Sequence, residues 1–407
     1  MNRFLLSFVL VVISLTTIYS QTQTISFGAG YANDVFYSMK NDLVKTAARN
    51  TWDIGFTTSK MSSSLLVNSG AGAMLFSYPN GDTSAWNTLD TNGISNWNPM
   101  YDSEISWEEG AFGLYATGHP DYGWGVYNMI THNLTGDSLF VIKTVSGAYM
   151  KLWIQGKESA AGIYHFRFAN LDGSNEFTET LNTNSYMDKN FLYYNLSSKQ
   201  IVDHEPISAD WDIMFTKYMA EQPSGGYYPV TGVLSNYGVE IARIEGVDTS
   251  LTNWADFSFS DEKAVIGWDW KSFSMTTMSY QCEDSLVFFV KNLDGDIYKL
   301  IFTDFAGSST GNVSFTKTKL SSVGIGEIFE NNLRIYPNPV SDYLMIETGL
   351  EAEYQFEIFD LAGKLQISES ASKAINKIDV QNLNSGIYFI RILTEQNIIK
   401  TQKFIVK

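Results

Sequence analysis

The sequence predicts an all-β protein: two duplicated antiparallel β domains followed by a smaller β-sandwich. Three observations predict it. In Trp52-Asp53-Ile54-Gly55-Phe56-Thr57 apolar side chains alternate with polar or small ones, the period of a strand. That stretch returns as Trp211-Asp212-Ile213-Met214-Phe215-Thr216, and other pieces recur in the same order. Gly123-Trp124 in GWGVYNMITHNL matches Gly267-Trp268 in GWDWKSFSMTTM, and SLFVIKTVSGAYMKL from Ser138 matches SLVFFVKNLDGDIYKL from Ser285. A repeat this long is a domain, since solenoid repeats run at roughly 20–50 residues. Finally, from Asn332 onward short alternating runs are separated by Pro337, Pro339, Gly363 and Gly386, the pattern of a small sandwich.

Composition supports packed cores and narrows the partners. The 407 residues include 26 Phe, 23 Tyr and 10 Trp, enough aromatic area for several cores. A net charge of −17 disfavours nucleic acid and anionic lipid surfaces. The only cysteine, Cys282, has no partner, so no disulfide scaffold is expected. Asn2-Arg3 followed by FLLSFVLVVISL and small residues reads as a signal peptide over 1–20, with the mature chain starting at Gln21. The apolar run is shorter than the ~20 residues a membrane span needs, and no transmembrane anchor is expected.

Taken in order, TISFGAGYANDVFYSMKNDL has the aromatic and glycine pattern of short strands. In the Trp52 strand one face is expected to be buried, with Trp52 and Phe56 as core anchors. Asp53 and its counterpart Asp212 accept hydrogen bonds from turns or, on a competing reading, are catalytic carboxylates. From Leu65 to Ser106 the first copy carries a longer loop region with turn signals at Asn80-Gly81 and Asn92-Gly93. Its aromatic content makes it a candidate binding region or a surface elaboration. In GIYHFRFANLDG, Tyr164, Phe166 and Phe168 share one face and Ile163, His165 and Arg167 the other. In NLDGD the residues Asn292, Asp294 and Asp296 alternate as in a calcium loop, but the required downstream Glu is missing and a hairpin turn at Asp294-Gly295 is the simpler reading.

The order of YYNLSSKQIV, WDIMFT and YYPVTGVLSNYGVEIA resembles the HmuY family of haem-binding proteins from Bacteroidetes. In the first copy the resemblance rests on VFYSMKNDLV, WDIGFT and the terminal hairpin. It implies an all-β fold and capture of haem, free or from a haem-carrying protein, outside the cell. The chain has four histidines, His119, His132, His165 and His204, none inside a motif shared by both copies. His132 and His165 are the candidate axial ligands.

Tyr336-Pro337-Asn338-Pro339, FDLAGK, LNSGIYFIRI and the basic end at Lys403 to Lys407 resemble the C-terminal sorting domain of the type IX secretion system. That resemblance implies recognition by the type IX machinery and a secreted or surface-attached product. The expected organisation is 1–20 signal peptide, 21–180 and 181–325 HmuY-like repeats, and 326–407 an immunoglobulin-like sorting sandwich.

No phosphate loop, nucleophile elbow or clustered Cys and His ligands occur, and no enzyme chemistry or metal site is expected. The functional expectation is a non-enzymatic binding protein of the cell exterior, with haem or another porphyrin as ligand. The alternatives are a carbohydrate-binding or carbohydrate-active protein, suggested by Trp86, Trp97, Trp107 and Trp124 as exposed loop aromatics, and a structural surface component.

Overall fold

The structure, a computed structural model, describes residues 20–321, 334–347, 354–373, 375–393 and 398–407. Apart from Ser20, the expected signal peptide lies outside the described residues, as does the boundary expected at 325/326. The protein is all-β, with several antiparallel sheets and, among the described residues, only short 3-10 turns besides. It divides into two units, 1–320 and 321–407.

The first unit contains two sandwiches. In one, a sheet ordered Gln200–Val202, Phe191–Asn195, Ile54–Thr57, Leu65–Val67 packs on a larger sheet that includes Phe177–Asn182, Ile163–Asn170 and Tyr149–Glu158. Ile54, Phe56, Trp124, Ile154, Tyr164 and Phe166 fill the space between them. In the other, the order Tyr227–Ser235, Ile213–Glu221, Asn33–Ser38, Asp42–Ala48 packs on Ser20–Ser26, Asn312–Ser321, Ile297–Phe305, Leu286–Lys291, Glu240–Glu245. Phe27, Val35, Phe215, Trp270 and Phe302 form that core.

The sequence copies and the cores do not coincide. Asn33–Ser38, from the first copy, pairs with Ile213–Glu221 of the second, with Val35 opposite Phe215. Phe191–Asn195, from the second, pairs with Ile54–Thr57 of the first, with Leu192 opposite Phe56. Ser20–Ser26 likewise joins the second core through Asn312–Ser321. The physical cause lies at Arg49–Thr51, a single 3-10 turn flanked by extended residues that carries the chain out of one sandwich and into the other. A boundary at 180/181 would fall inside the strand Phe177–Asn182.

All four residues of Ile54–Thr57 are buried, not one face alone. The second face is covered because the two four-stranded sheets turn toward one another. Trp52, Leu66, Phe191 and Tyr193 cluster on one side of this seam, and Phe36, Trp211, Met214 and Leu234 on the other. Trp107 packs against both. Trp52 therefore belongs to the seam, while Phe56 enters the sandwich core as expected. At Gly70 the backbones approach so closely that a Cβ would lie 1.8 Å from the Lys217 carbonyl oxygen, a position only glycine fills. The alternation expected for Ile163–Asn170 is present: Tyr164, Phe166 and Phe168 are buried and Ile163, His165 and Arg167 are half-buried.

In the second unit, Arg334–Tyr336, Tyr343–Glu347 and Ile375–Asp379 form one sheet. Leu365–Ala371, Tyr354–Asp360, Gly386–Leu393 and Ile398–Val406 form the other. Leu344, Ile346, Phe356, Ile358, Ile390 and Phe404 are the shared core. Asp360 shapes the FDLAGK turn by accepting the Ala362 and Lys364 N–H groups at 2.9 and 3.0 Å.

Candidate functional site

The long loop of the first copy crosses the seam and docks on the second sandwich. Trp107 Nε1 donates to the Ser235 carbonyl at 2.8 Å, and Lys263 N–H donates to the Ile105 carbonyl at 2.9 Å. Glu104 Oε1 accepts the Glu221 N–H at 2.6 Å, while Tyr237 Oη donates to Glu108 Oε1 at 3.0 Å. The Lys263 ammonium lies 4.4 Å from the Trp107 ring centroid, a cation–π contact.

Beside this clasp opens a cleft of about 650 Å³, walled by Tyr101, Tyr122 and Tyr227 and by the carboxylates of Glu104, Glu108 and Glu109. The Tyr101 and Tyr227 rings are 4.6 Å apart. Tyr101 also lines a second cleft of about 440 Å³, together with Arg49, Lys217, Met219 and Pro229. Burial raises the Glu104 carboxyl above its ordinary value, against the Glu221 N–H and Lys263. Asp102, deeper in the wall, is pushed up to about 6 by burial, against Lys263 and the N–H groups of Ala111 and Val67. Its Oδ1 accepts both N–H groups, from Ala111 at 2.8 Å and Val67 at 3.2 Å, and Oδ2 accepts the Val67 N–H at 3.4 Å, so it braces the loop.

The histidines fall in three places. His119 Nδ1 is 3.3 Å from Tyr122 Oη, and the Tyr127 hydroxyl is 2.5 Å from His132 Nδ1, so His119 and His132 meet around Tyr127; of this group Tyr122 lines the larger cleft. His165 lies on its own strand, with Nε2 2.8 Å from Glu158 and Nδ1 3.2 Å from Thr180. The structure thus gives His132 and His165 separate partners. His204 is buried in the seam, where Nε2 donates to Asp34 Oδ2 at 3.0 Å. Asp34 Oδ1 also accepts from Arg49 Nε at 2.7 Å and from the Thr216 hydroxyl at 2.6 Å. Burial alone would raise Asp34; Arg49, followed by His204 and Thr216, brings it down to about 2.

Nothing in the sequence spacing marked Asp34, Arg49, His204 and Thr216 as one cluster, because four separate stretches of the chain supply them. The loop tryptophans require a correction. Trp86 and Trp124 are buried and Trp97 and Trp107 are half-buried. Trp86 lies beneath Lys151 and Arg167, and Trp124 fills the first core. Aromatics that the loop composition made look exposed are there to anchor the loops. Asp53 and Asp212 are not free carboxylates either: they are buried, and each accepts two backbone N–H groups. Among the described residues no group of three or more His, Cys, Asp or Glu converges on a metal position. None of the described helices is long and apolar enough to cross a membrane.

An acidic cleft on a double sandwich, joined in sequence to a separate small sandwich, defines a two-part protein: a double-sandwich body and an appended module. Residues 334–407, the appended module, match the family described as secretion system C-terminal sorting domain. The protein is therefore secreted or attached at the outer-membrane surface, and the type IX secretion machinery is a partner. No curated protein matches the chain. Among solved structures, the chain is similar to PorZ, an essential surface component of the type IX secretion system of Porphyromonas gingivalis, at 11% identity and TM-score 0.19, covering 69% of this chain and 44% of that one. It is also similar to dimeric latent PorU from Porphyromonas gingivalis at 9% identity and TM-score 0.17, covering 91% of this chain and 40% of that one. The chain spans less than half the length of either.

Proposed function

We propose that this is a non-enzymatic binding protein of the cell exterior whose ligand is a carbohydrate held in the larger cleft. The supporting observation is the wall itself: Tyr101, Tyr122 and Tyr227 beside Glu104, Glu108 and Glu109. Aromatic faces suit the C–H surface of a sugar ring, and carboxylates accept its hydroxyl hydrogens. The same carboxylates repel an anionic ligand. Titration with a panel of soluble polysaccharides, comparing the natural chain with Tyr101→Ala and Tyr227→Ala, tests the reading. Binding that both substitutions weaken supports it; binding that neither changes moves the site elsewhere, and cleavage of a bound glycan overturns the non-enzymatic part.

A second reading is haem capture by HmuY-like repeats. Its support is the meeting of His119 and His132 at Tyr127 beside the exposed side chains of Met129 and Ile130. The neighbouring carboxylates work against it, because haem propionates are anionic. A shifted Soret band that His132→Ala abolishes and His165→Ala leaves intact is the result this reading requires.

A further inference from the structure

Between the two facing sheets lies a cavity of about 70 Å³, lined by Trp52, Tyr218, Lys217, Lys263 and His204 among others. Trp52 Nε1, Tyr218 Oη and His204 Nδ1 are buried with no hydrogen-bond partner among the described residues. Trp52 is 8% exposed and His204 2%. Buried polar atoms are rarely left unmade, and three around one cavity point to an occupant. The chemistry of the lining says what kind. An indole N–H can only donate, and a lysine ammonium offers donors alone. Neither Lys217 nor Lys263 has a carboxylate within ion-pair distance among the described residues, where Asp34 is paired with Arg49 and His204. The carboxylates in the lining already have protein donors: Asp34 has Arg49, Thr216 and His204, and Asp102 Oδ1 has the N–H groups of Val67 and Ala111. Hydrogen-bond donors without an acceptor are therefore in surplus, and the two lysines of the lining offset its two carboxylates.

We propose that this seam cavity is a binding site for one small monovalent anion, of halide or formate size, held by Trp52, Tyr218, Lys263 and Lys217. Because His204 Nε2 faces the Asp34 carboxylate, it carries the ring proton and Nδ1 is left as an acceptor. A companion water between Nδ1 and the anion satisfies both. The volume admits this pair and excludes a sugar, so the site is distinct from the carbohydrate cleft and does not depend on it. Ser69, Gly70, Lys217 and Met219 line both this cavity and the 440 Å³ cleft, which gives the ion a path from solvent. The ion would bridge residues of both sandwiches and so lock the seam.

Thermal denaturation of the full chain at constant ionic strength, with sodium bromide replacing sodium gluconate, tests the site, since gluconate is too large to enter. A saturable rise in Tm with bromide is expected. Tyr218→Phe removes only the hydroxyl and should raise the half-maximal bromide concentration about tenfold, as loss of one hydrogen bond to a charged group does. Crystals of the unaltered chain soaked in bromide should show an anomalous peak in the cavity. A Tm indifferent to the anion, or a cavity holding only water in the soaked crystals, overturns the proposal.

Discussion

The Asp53 carboxylate accepts the backbone N–H of Leu196 at 2.8 Å, tying the tryptophan strand of the first copy to the hairpin of the second. Its other oxygen accepts the Val145 N–H at 2.8 Å. Asp212 does the same in the other sandwich, accepting from Met39 at 2.6 Å and Leu293 at 3.4 Å. Each aspartate thus joins the strand after it to a hairpin that begins in the other copy. Asp53→Asn leaves shape unchanged but sets an NH₂ against one of the two backbone donors. A loss of about 2–3 kcal/mol is expected, from a charge-assisted hydrogen bond removed and a buried donor orphaned. Urea denaturation midpoints measure it, with Asp82→Asn as a control, because Asp82 caps an exposed turn at Ser84. Equal effects of the two substitutions would contradict the account.

The N-terminal strand closes the second core, and this gives a prediction with a location. Phe27 is fully buried among Tyr31, Phe215 and Phe305. Phe27→Ala should cost about 3–5 kcal/mol. In native-state hydrogen exchange the loss should appear in Asn312–Ser321 and Ile213–Glu221, whose core it fills, while Ile163–Asn170 in the first core stays protected. Uniform loss of protection across both would mean that the two cores unfold as one.

Strand character was legible because side-chain period and turn residues are local properties. The alternation at Ile163–Asn170 and the turn at Asp294-Gly295 needed no knowledge of partners, and the latter is indeed a hairpin, with Gly295 N–H bonded to the Asn292 carbonyl. Strand exchange was not legible. Val35 and Phe36 carry the same apolar pattern whether they pair with Ile54–Thr57 or with Ile213–Glu221, and period fixes faces, not partners. The same limit hid the seam: His204 sits between Asp203 and Glu205 in the sequence, a solvent-facing context, yet packs against Phe36, Trp52 and Tyr193. Candidate ligands chosen by residue type alone therefore included His165, which the fold gives to Glu158, and passed over Lys263 and Tyr218.

Glu205 sets an expected pH dependence. Burial raises its carboxyl to about 7, against the Tyr193 hydroxyl, the N–H groups of Asn190 and Phe191, and Lys189. Unfolded glutamate titrates near ~4.3, so the native state holds this proton more tightly. The associated stability is complete below that value and is lost as pH rises through about 7. Asp34 runs the other way: its contribution is present above ~3.9 and is lost as pH falls through about 2. Glu205→Gln should remove the decline between pH ~5 and ~7, on the order of 3 kcal/mol, and leave the acid limb unchanged. Denaturation free energies at half-unit pH intervals give the comparison. A variant whose profile parallels that of the natural chain would assign the decline to another group.

The sorting unit offers a prediction that reads export. Ile390 is fully buried on Gly386–Leu393, which pairs with both Tyr354–Asp360 and Ile398–Val406, so its side chain reaches the middle of the small sandwich. Ile390→Ala should cost about 2–5 kcal/mol, a large share of the stability available to a unit of this size. Ile387 on the same strand is 40% exposed and provides the control, since Ile387→Ala removes less buried area than Ile390→Ala. If the secretion machinery reads the folded sandwich, Ile390→Ala should leave the protein inside the cell envelope while Ile387→Ala reaches the surface or medium, as followed by fractionation and immunoblotting. Export of both variants alike would mean that the machinery reads an extended segment of this unit and not its fold. Retention of Ile387→Ala alone would place the recognised surface on the exposed face of that strand.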